Sequence, residues 1–178
     1  MNRPVNENIP EILATTKYLE LVQCGTWSFV RRPNSNGVVA IVAVTNEQKL
    51  LLVEQFRVPV DGPVIELPAG LSGDTDDPNE SLQIAAQREL LEETGYEAES
   101  WTELATVTSS AGLTNEQVAI FRAEGLQKVS AGGGIDNEQI TVHEVPTVEL
   151  ESWLQLQAAS GKMIDSRVYA AIHWASNK

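Results

Sequence analysis

Cysteine is almost missing from this sequence. The single Cys24 among 178 residues excludes an intrachain disulfide framework and fits a reducing compartment. Positive charge is scarce as well: 12 lysines and arginines stand against 25 aspartates and glutamates, a formal net charge of −13. Without a lysine or arginine run, non-specific binding to nucleic acid or to an anionic membrane is disfavoured. No apolar stretch approaches membrane-spanning length and Met1–Glu7 holds no hydrophobic signal core, so the cytoplasm is the expected location. His143 and His173 have no second His, Cys or Asp at ligand spacing, which leaves them packing or surface roles. Gly-x-Ser-x-Gly is absent and no base adjoins Cys24, so covalent catalysis has no support. Repeats and low-complexity tracts are lacking too, and the length suits one domain with a full core.

What the chain does contain is a carboxylate cluster with helical spacing. Residues Glu80 to Tyr96 read E-S-L-Q-I-A-A-Q-R-E-L-L-E-E-T-G-Y, with Glu89, Glu92 and Glu93 at i, i+3 and i+4. A helix stacks these three on one side over successive turns. Asp77 is the expected N-cap, Pro78 the first helical residue and Gly95 the C′ position. Ile84 and Leu91, flanked by Leu90, are expected to pack on a core, while Leu82, Ala85 and Ala86 share the carboxylates' side. Like charges at this spacing repel unless a cation neutralises them, and hard dications such as Mg²⁺ prefer oxygen-rich anionic pockets. A solvated acidic face is the ordinary alternative in so acidic a chain. Bound cations would also remove the repulsion that this chain otherwise presents to an anionic substrate.

Strand patterns surround the helix. Tyr18–Gln23 and Thr26–Arg31 form one expected pair across a Cys-Gly turn. Gly37–Val44 and Leu50–Phe56 read as a hairpin across Thr-Asn-Glu-Gln. Trp101–Thr108, Gln117–Ala123 and Gln139–Val145 follow. The triplet Gly132-Gly133-Gly134 reads as a mobile loop, since no Gly-Lys-Ser/Thr follows to make a phosphate cradle. Two helices close the chain, Val148–Ala159 and Ser166–Ala175, the second capped by Asp165. Strands on both sides of a helix point to an α/β or α+β sandwich.

The run Glu80-x7-Arg88-Glu89-Leu90-x-Glu92-Glu93-x-Gly95-Tyr96 resembles the Nudix hydrolase signature, G-x5-E-x7-R-E-U-x-E-E-x-G-U, where U is a bulky apolar residue. One departure stands out: Gly70, the glycine that fits the opening position, is separated from Glu80 by nine residues rather than five. The insertion falls in the turn-rich segment Leu71–Asn79. The resemblance implies an α/β/α sandwich with a mixed sheet over residues 37–178, preceded by an N-terminal strand region, 1–36, for dimerisation and base binding. It implies metal ligation by the Ala69 carbonyl and by Glu89, Glu92 and Glu93, with Arg88 orienting the glutamates. Glu80 is expected in the first helical turn, in a structural role alongside Gly70 and Gly95.

Glu54-Gln55-Phe56-Arg57, Glu66-Leu67-Pro68-Ala69-Gly70 and Ser110–Glu116 are similar to the ADP-ribose and nucleoside-diphosphate-sugar pyrophosphatase branch. That likeness implies diphosphate binding at Arg57, substrate contact at Glu66 and stacking of the base on Trp27 with help from Arg32. On residue type alone, Trp27 would be core, Arg57 an exposed strand end and Glu116 a solvent-facing turn residue. Asp136-Asn137-Glu138-Gln139 resembles the acidic loop that supplies the base, with Glu138 as late metal ligand or base and Asp136 as the alternative. Glu92 is a further catalytic candidate. The expected cofactor is Mg²⁺ or Mn²⁺, and the expected assembly a homodimer sharing its active sites. A Nudix hydrolase of nucleoside triphosphates or dinucleoside polyphosphates and a non-catalytic nucleotide sensor are the rival readings.

Overall fold

The computed structural model describes residues 9–73, 77–135 and 138–175. It begins with three antiparallel strands in the order β1-β2-β3: β1 (Glu11–Thr15), β2 (Glu20–Cys24) and β3 (Trp27–Arg31). The pairing of Cys24 with Trp27 leaves Gly25-Thr26 as the turn, and Gly25 supplies the left-handed φ of 61° that the turn needs. β1 is exposed throughout and has no alternating apolar pattern, which is why the sequence did not announce it.

Among the described residues, ten further strands and three α-helices follow. β4 (Gly37–Ala43) and β5 (Lys49–Arg57) lead through a 3-10 turn, Val58–Val60, to β6 (Gly62–Glu66) and β7 (Ala69–Ser72). α1 (Leu82–Thr94) precedes β8 (Tyr96–Glu97), β9 (Ser100–Thr108), β10 (Gln117–Glu124), β11 (Gln127–Lys128) and β12 (Thr141–Pro146). α2 (Leu150–Ala159), β13 (Met163–Ile164) and α3 (Ser166–Ala175) are the last of the described elements. Two four-stranded sheets result, β7-β4-β10-β9 and β12-β5-β6-β13, and a small β11-β8 pair. Each large sheet mixes directions, with β10 parallel to β4 and β13 parallel to β6.

β4 and β5 do not form the expected hairpin. They touch through one isolated bridge, Val44 to Leu50, and then enter different sheets. Their sequences explain the divergence, because both strands are continuous apolar runs that must be covered on both faces. Val39, Ile41, Ala43 and Leu51 pack with Ala85, Ala86 and Leu90 of α1. Ala40, Val42, Leu50 and Leu52 face the other way, onto Leu150 and Leu154 of α2 and Val168 and Ala171 of α3. The result is a helix, sheets and two helices in layers, an α/β/α sandwich with its core on both sides of β4 and β5.

α1 differs in two respects from what its sequence suggests. Ser81, not Asp77, is its N-cap, accepting from the Ile84 amide at 3.3 Å. Asp77 instead closes the preceding turn, its carboxylate taking the Asn79 amide at 2.9 Å and its carbonyl the Glu80 amide at 3.1 Å. Glu80 therefore lies before the helix rather than in its first turn. The buried side carries Ala85, Ala86, Leu90, Glu93 and Thr94, whereas Ile84 is 55% exposed and Leu91 half-buried. Two adjacent alanines let the helix lie close on the sheet, and that contact, not side-chain size, sets its rotation. At the other helix the Asp165 carboxylate accepts from the Arg167 amide at 2.7 Å, the expected capping bond. Leu90→Ala should cost about 2–5 kcal/mol of stability, and Ile84→Ala within about 0.5 kcal/mol of none, measured by urea unfolding.

Candidate active site

β4 and β5 part from their bridge at Val44 and Leu50, and a cleft of about 430 Å³ lies at their far ends, beside Val38, Gln55 and Arg57. This volume falls within the range of small-molecule sites. Acidic and basic groups face each other across it. Glu89 and Glu93 of α1, Glu138 and Glu116 line it together with Arg32, Arg57 and Arg167, and Glu66, Ala69 and Gly70 line it as well.

Glu93 is only 4% exposed, and its Oε2 accepts from the Ala69 amide at 2.9 Å. Burial pushes its carboxyl up to about 8, offset in part by that bond and reinforced by the charges of Glu89, Glu138 and Glu66. A Cβ at Gly70 would overlap the Glu89 carboxylate, so a side chain there would displace that carboxylate from its bond to Arg88. Arg88 ties the remaining acids together. Its Nη1 reaches Glu89 at 2.7 Å and Glu92 at 3.1 Å, its Nη2 donates to the Leu71 carbonyl at 2.9 Å, and Nε and Nη2 grip Glu80 at 2.9 and 3.1 Å. The Arg88 bonds, helped by the Gly73 amide, hold the buried Glu80 below the usual carboxylate range despite desolvation. Ser72 Oγ donates to the Glu80 carbonyl at 2.6 Å, so both ends of the inserted loop are stitched down although residues 74–76 lie outside the described set.

On the opposite wall Arg57 Nε bonds Glu66 at 2.8 Å, and Arg167 lies 3.9 Å from the other Glu66 oxygen while pairing twice with Asp165 at 2.8 Å. Arg32 Nε pairs with Glu116 at 2.9 Å, so Glu116 is a wall of the cleft rather than a solvent-facing turn residue. Arg167 and Gln55 were not anticipated: Arg167 comes close only because α3 folds back under β6. The cap at Asp165 was its one legible sign. Trp27 is 63% exposed, not core, and lines a separate groove with Cys24, Phe29, Gly112 and Asn115. Glu92 bonds Arg88 but does not line the cleft, and Asp136 lies outside the described residues.

A model of the NUDIX domain matches residues 35–172 of this arrangement. The chain belongs to the NUDIX family. Among curated relatives, the methanol dehydrogenase activator of Bacillus methanolicus is 36% identical over 146 residues, 82% of this chain and 73% of that protein. The ADP-ribose pyrophosphatase of Bacillus subtilis (strain 168) is 35% identical over 142 residues, 80% of this chain and 73% of its own length. A GDP-mannose pyrophosphatase of Klebsiella pneumoniae is 37% identical over 119 residues, 62% of this chain and 58% of that one. The crystal structure of an ADP compounds hydrolase superposes with a TM-score of 0.64 at 22% identity, covering 83% of this chain and 80% of that one, and shares the fold.

The donor set of this NUDIX domain fits a divalent cation. Its oxygens are hard and anionic, Glu89 and Glu93 stand one turn apart over Gly70, and the buried Glu93 carboxyl has no cationic side chain bonded to it among the described residues. Among the described residues no three acidic side chains converge on one point as they stand, since Glu89 and Glu92 turn to Arg88. The pKa values of two carboxyls here are shifted in opposite directions. Glu93, raised, makes the metal-free fold lose stability as pH climbs from the ordinary carboxylate range toward 8. Glu80, lowered, contributes stability above that range and loses it as pH falls through its depressed value. In EDTA at pH 8, Glu93→Gln should therefore raise Tm and Glu80→Gln lower it, with the Glu80 effect shrinking as pH falls below the ordinary carboxylate range. Thermal melts from pH 2 to 9 check both signs.

Proposed function

We propose that this NUDIX protein is a divalent-metal-dependent pyrophosphohydrolase that splits nucleoside diphosphate sugars, of the ADP-ribose or GDP-mannose kind, into a nucleoside monophosphate and a sugar phosphate. The observation that carries the reading is the single cleft in which Glu89, Glu93 and Glu138 face Arg57 and Arg32. A diphosphate needs both halves, cations on its oxygens and a base for the attacking water. Glu89 and Glu93, with the Ala69 carbonyl and with Glu92 or Glu138 at the margin, would hold Mg²⁺ or Mn²⁺, which supplies charge neutralisation to the diphosphate oxygens. Glu138 takes the proton of the water that attacks phosphorus as the phosphoanhydride P–O bond breaks, and Asp136 is the alternative base. Arg57, held in place by Glu66, grips the diphosphate through its planar guanidinium. Arg88 keeps Glu89 and Glu92 from repelling each other out of position.

The nucleobase is assigned to Trp27 of a second copy. Its indole is exposed and lies in a groove outside its own chain's cleft, which supports a homodimer in which each N-terminal sheet, β1 to β3, roofs the partner's site. Stacking needs only a π-face, so more than one base is accepted. The lone Cys24 supports a reducing, cytoplasmic setting.

Turnover of ADP-ribose, GDP-mannose, UDP-glucose and nucleoside triphosphates with Mg²⁺, resolved by mass, tests the substrate class. Triphosphates turned over in preference to all three sugars would overturn it. Glu93→Gln should lower kcat roughly 10²–10³-fold with the fold intact by circular dichroism. Trp27→Ala should raise KM by the equivalent of about 1–3 kcal/mol while kcat changes little. Mixing the Trp27→Ala and Glu93→Gln chains should restore part of the activity, because one site of the mixed dimer carries neither lesion. No recovery despite proven subunit exchange would refute the shared site.

A further inference from the structure

The last turn of α1 ends on carbonyl groups that a helix cannot satisfy by itself. Leu91 O accepts from the Gly95 amide at 2.9 Å, the usual closure. The next two carbonyls take their donors from a segment 40 residues on: Glu92 O accepts from the Gly134 amide at 3.0 Å and Glu93 O from the Gly133 amide at 2.8 Å. The glycine triplet read from the sequence as a mobile loop is thus bonded to the backbone of two candidate metal ligands. From there the connection runs on to Glu138. Gly133 O accepts from the Ile140 amide at 3.3 Å, Glu138 N donates to Ile135 O at 3.0 Å, and Glu138 Oε2 accepts from the Ile135 amide at 3.2 Å.

Each glycine is required for its own reason. Gly132, Gly133 and Gly134 have φ of 68°, 106° and 84°. A Cβ at Gly132 would overlap the Thr94 carbonyl carbon and lie 2.6 Å from the Gly95 nitrogen. One at Gly134 would lie 2.7 Å from Glu138 Cβ. Gly133 has open space, its nearest neighbour being Ile140 O at 3.7 Å, so only its backbone angle excludes a side chain.

We propose that Gly132-Gly133-Gly134 is a positioning clamp that fastens Glu138 to the C-terminal turn of α1, holding the loop carboxylate and the helix carboxylates as one rigid unit. This rests on the assignment of Glu138 as base. The connection is made by backbone amides as far as Ile135, whose amide holds the Glu138 carboxylate, and Glu138 lines the same cleft as Glu93. A misplacement of about 1 Å at such a group costs on the order of 10²-fold in rate.

The test is a double-variant cycle with ADP-ribose and Mg²⁺, together with amide hydrogen exchange by NMR. Gly134→Ala should lower kcat roughly 10–100-fold with KM within about twofold, and Gly134→Ala/Glu138→Ala should be no slower than Glu138→Ala. Gly133→Ala, which strains one angle without a clash, should give the same split in milder form and serves if Gly134→Ala does not fold. Multiplying losses in the double variant, or wild-type kcat in Gly134→Ala, would overturn the clamp. In the wild-type protein the Gly133 and Gly134 amides should exchange as slowly as those in the last turn of α1, and fast exchange would overturn it independently of turnover. Full kcat in Glu138→Ala with protected glycine amides would instead sink the base assignment and leave the clamp standing.

Discussion

Arg88 makes the acidic side of α1 possible. Four like-charged groups crowd together here, Glu80 just before the helix and Glu89, Glu92 and Glu93 on it, and three of them bond to this one guanidinium. A lysine has no planar fork and could not hold Glu80 by two nitrogens while serving Glu89 and Glu92 with a third. Its further bond to the Leu71 carbonyl fastens the helix to β7, the strand that carries Ala69 and Gly70. The same interaction therefore orders charge, helix position and cleft lining. Glu93, the fourth, is buried, raised in pKa and bonded instead to a backbone amide.

The cleft owes its existence to how β4 and β5 are buried. Each has two covered faces, so each becomes the interior strand of its own sheet, and the pair opens away from the bridge at Val44 and Leu50. Into that opening β5 delivers Gln55 and Arg57, β6 Glu66, α1 Glu89 and Glu93, and α3 Arg167. Groups separated by more than 100 residues meet because α2 and α3 must cover the face opposite α1. Packing and function use different stretches of the same strands: Leu50, Leu51, Leu52, Val53 and Ile65 go to the core, while Gln55, Arg57 and Glu66 at the far ends go to the cleft.

Much of this was legible in the residues. The i, i+3, i+4 spacing of Glu89, Glu92 and Glu93 is local, and a helix is the one regular structure that stacks it. β9, β10 and β12 begin and end within two residues of their apolar runs, and α3 matches its periodic segment because Asp165 caps it. The candidate site was legible to the extent that Arg57, Glu66, Gly70 and Glu138 sit in short recognisable runs. Ile84 and Asp77 misled because apolar size and capping chemistry are preferences, and two alanines and a local turn outweighed them.

Sequence by itself determined what is set within a few residues: the carboxylate platform, the arginine among its acids, the capping of α3, the glycines that permit turns, and the family to which the chain belongs. Tertiary structure decided which strands share a sheet, which side of α1 is buried, that Trp27 stands outside its own chain's cleft, and that Arg167 enters it. It also decided that three glycines fasten the end of α1 rather than hang loose. The division follows from range. Helix spacing and caps are fixed by backbone geometry over one or two turns, whereas sheet partners and buried charges depend on which distant surfaces must be covered, and no window of sequence contains both.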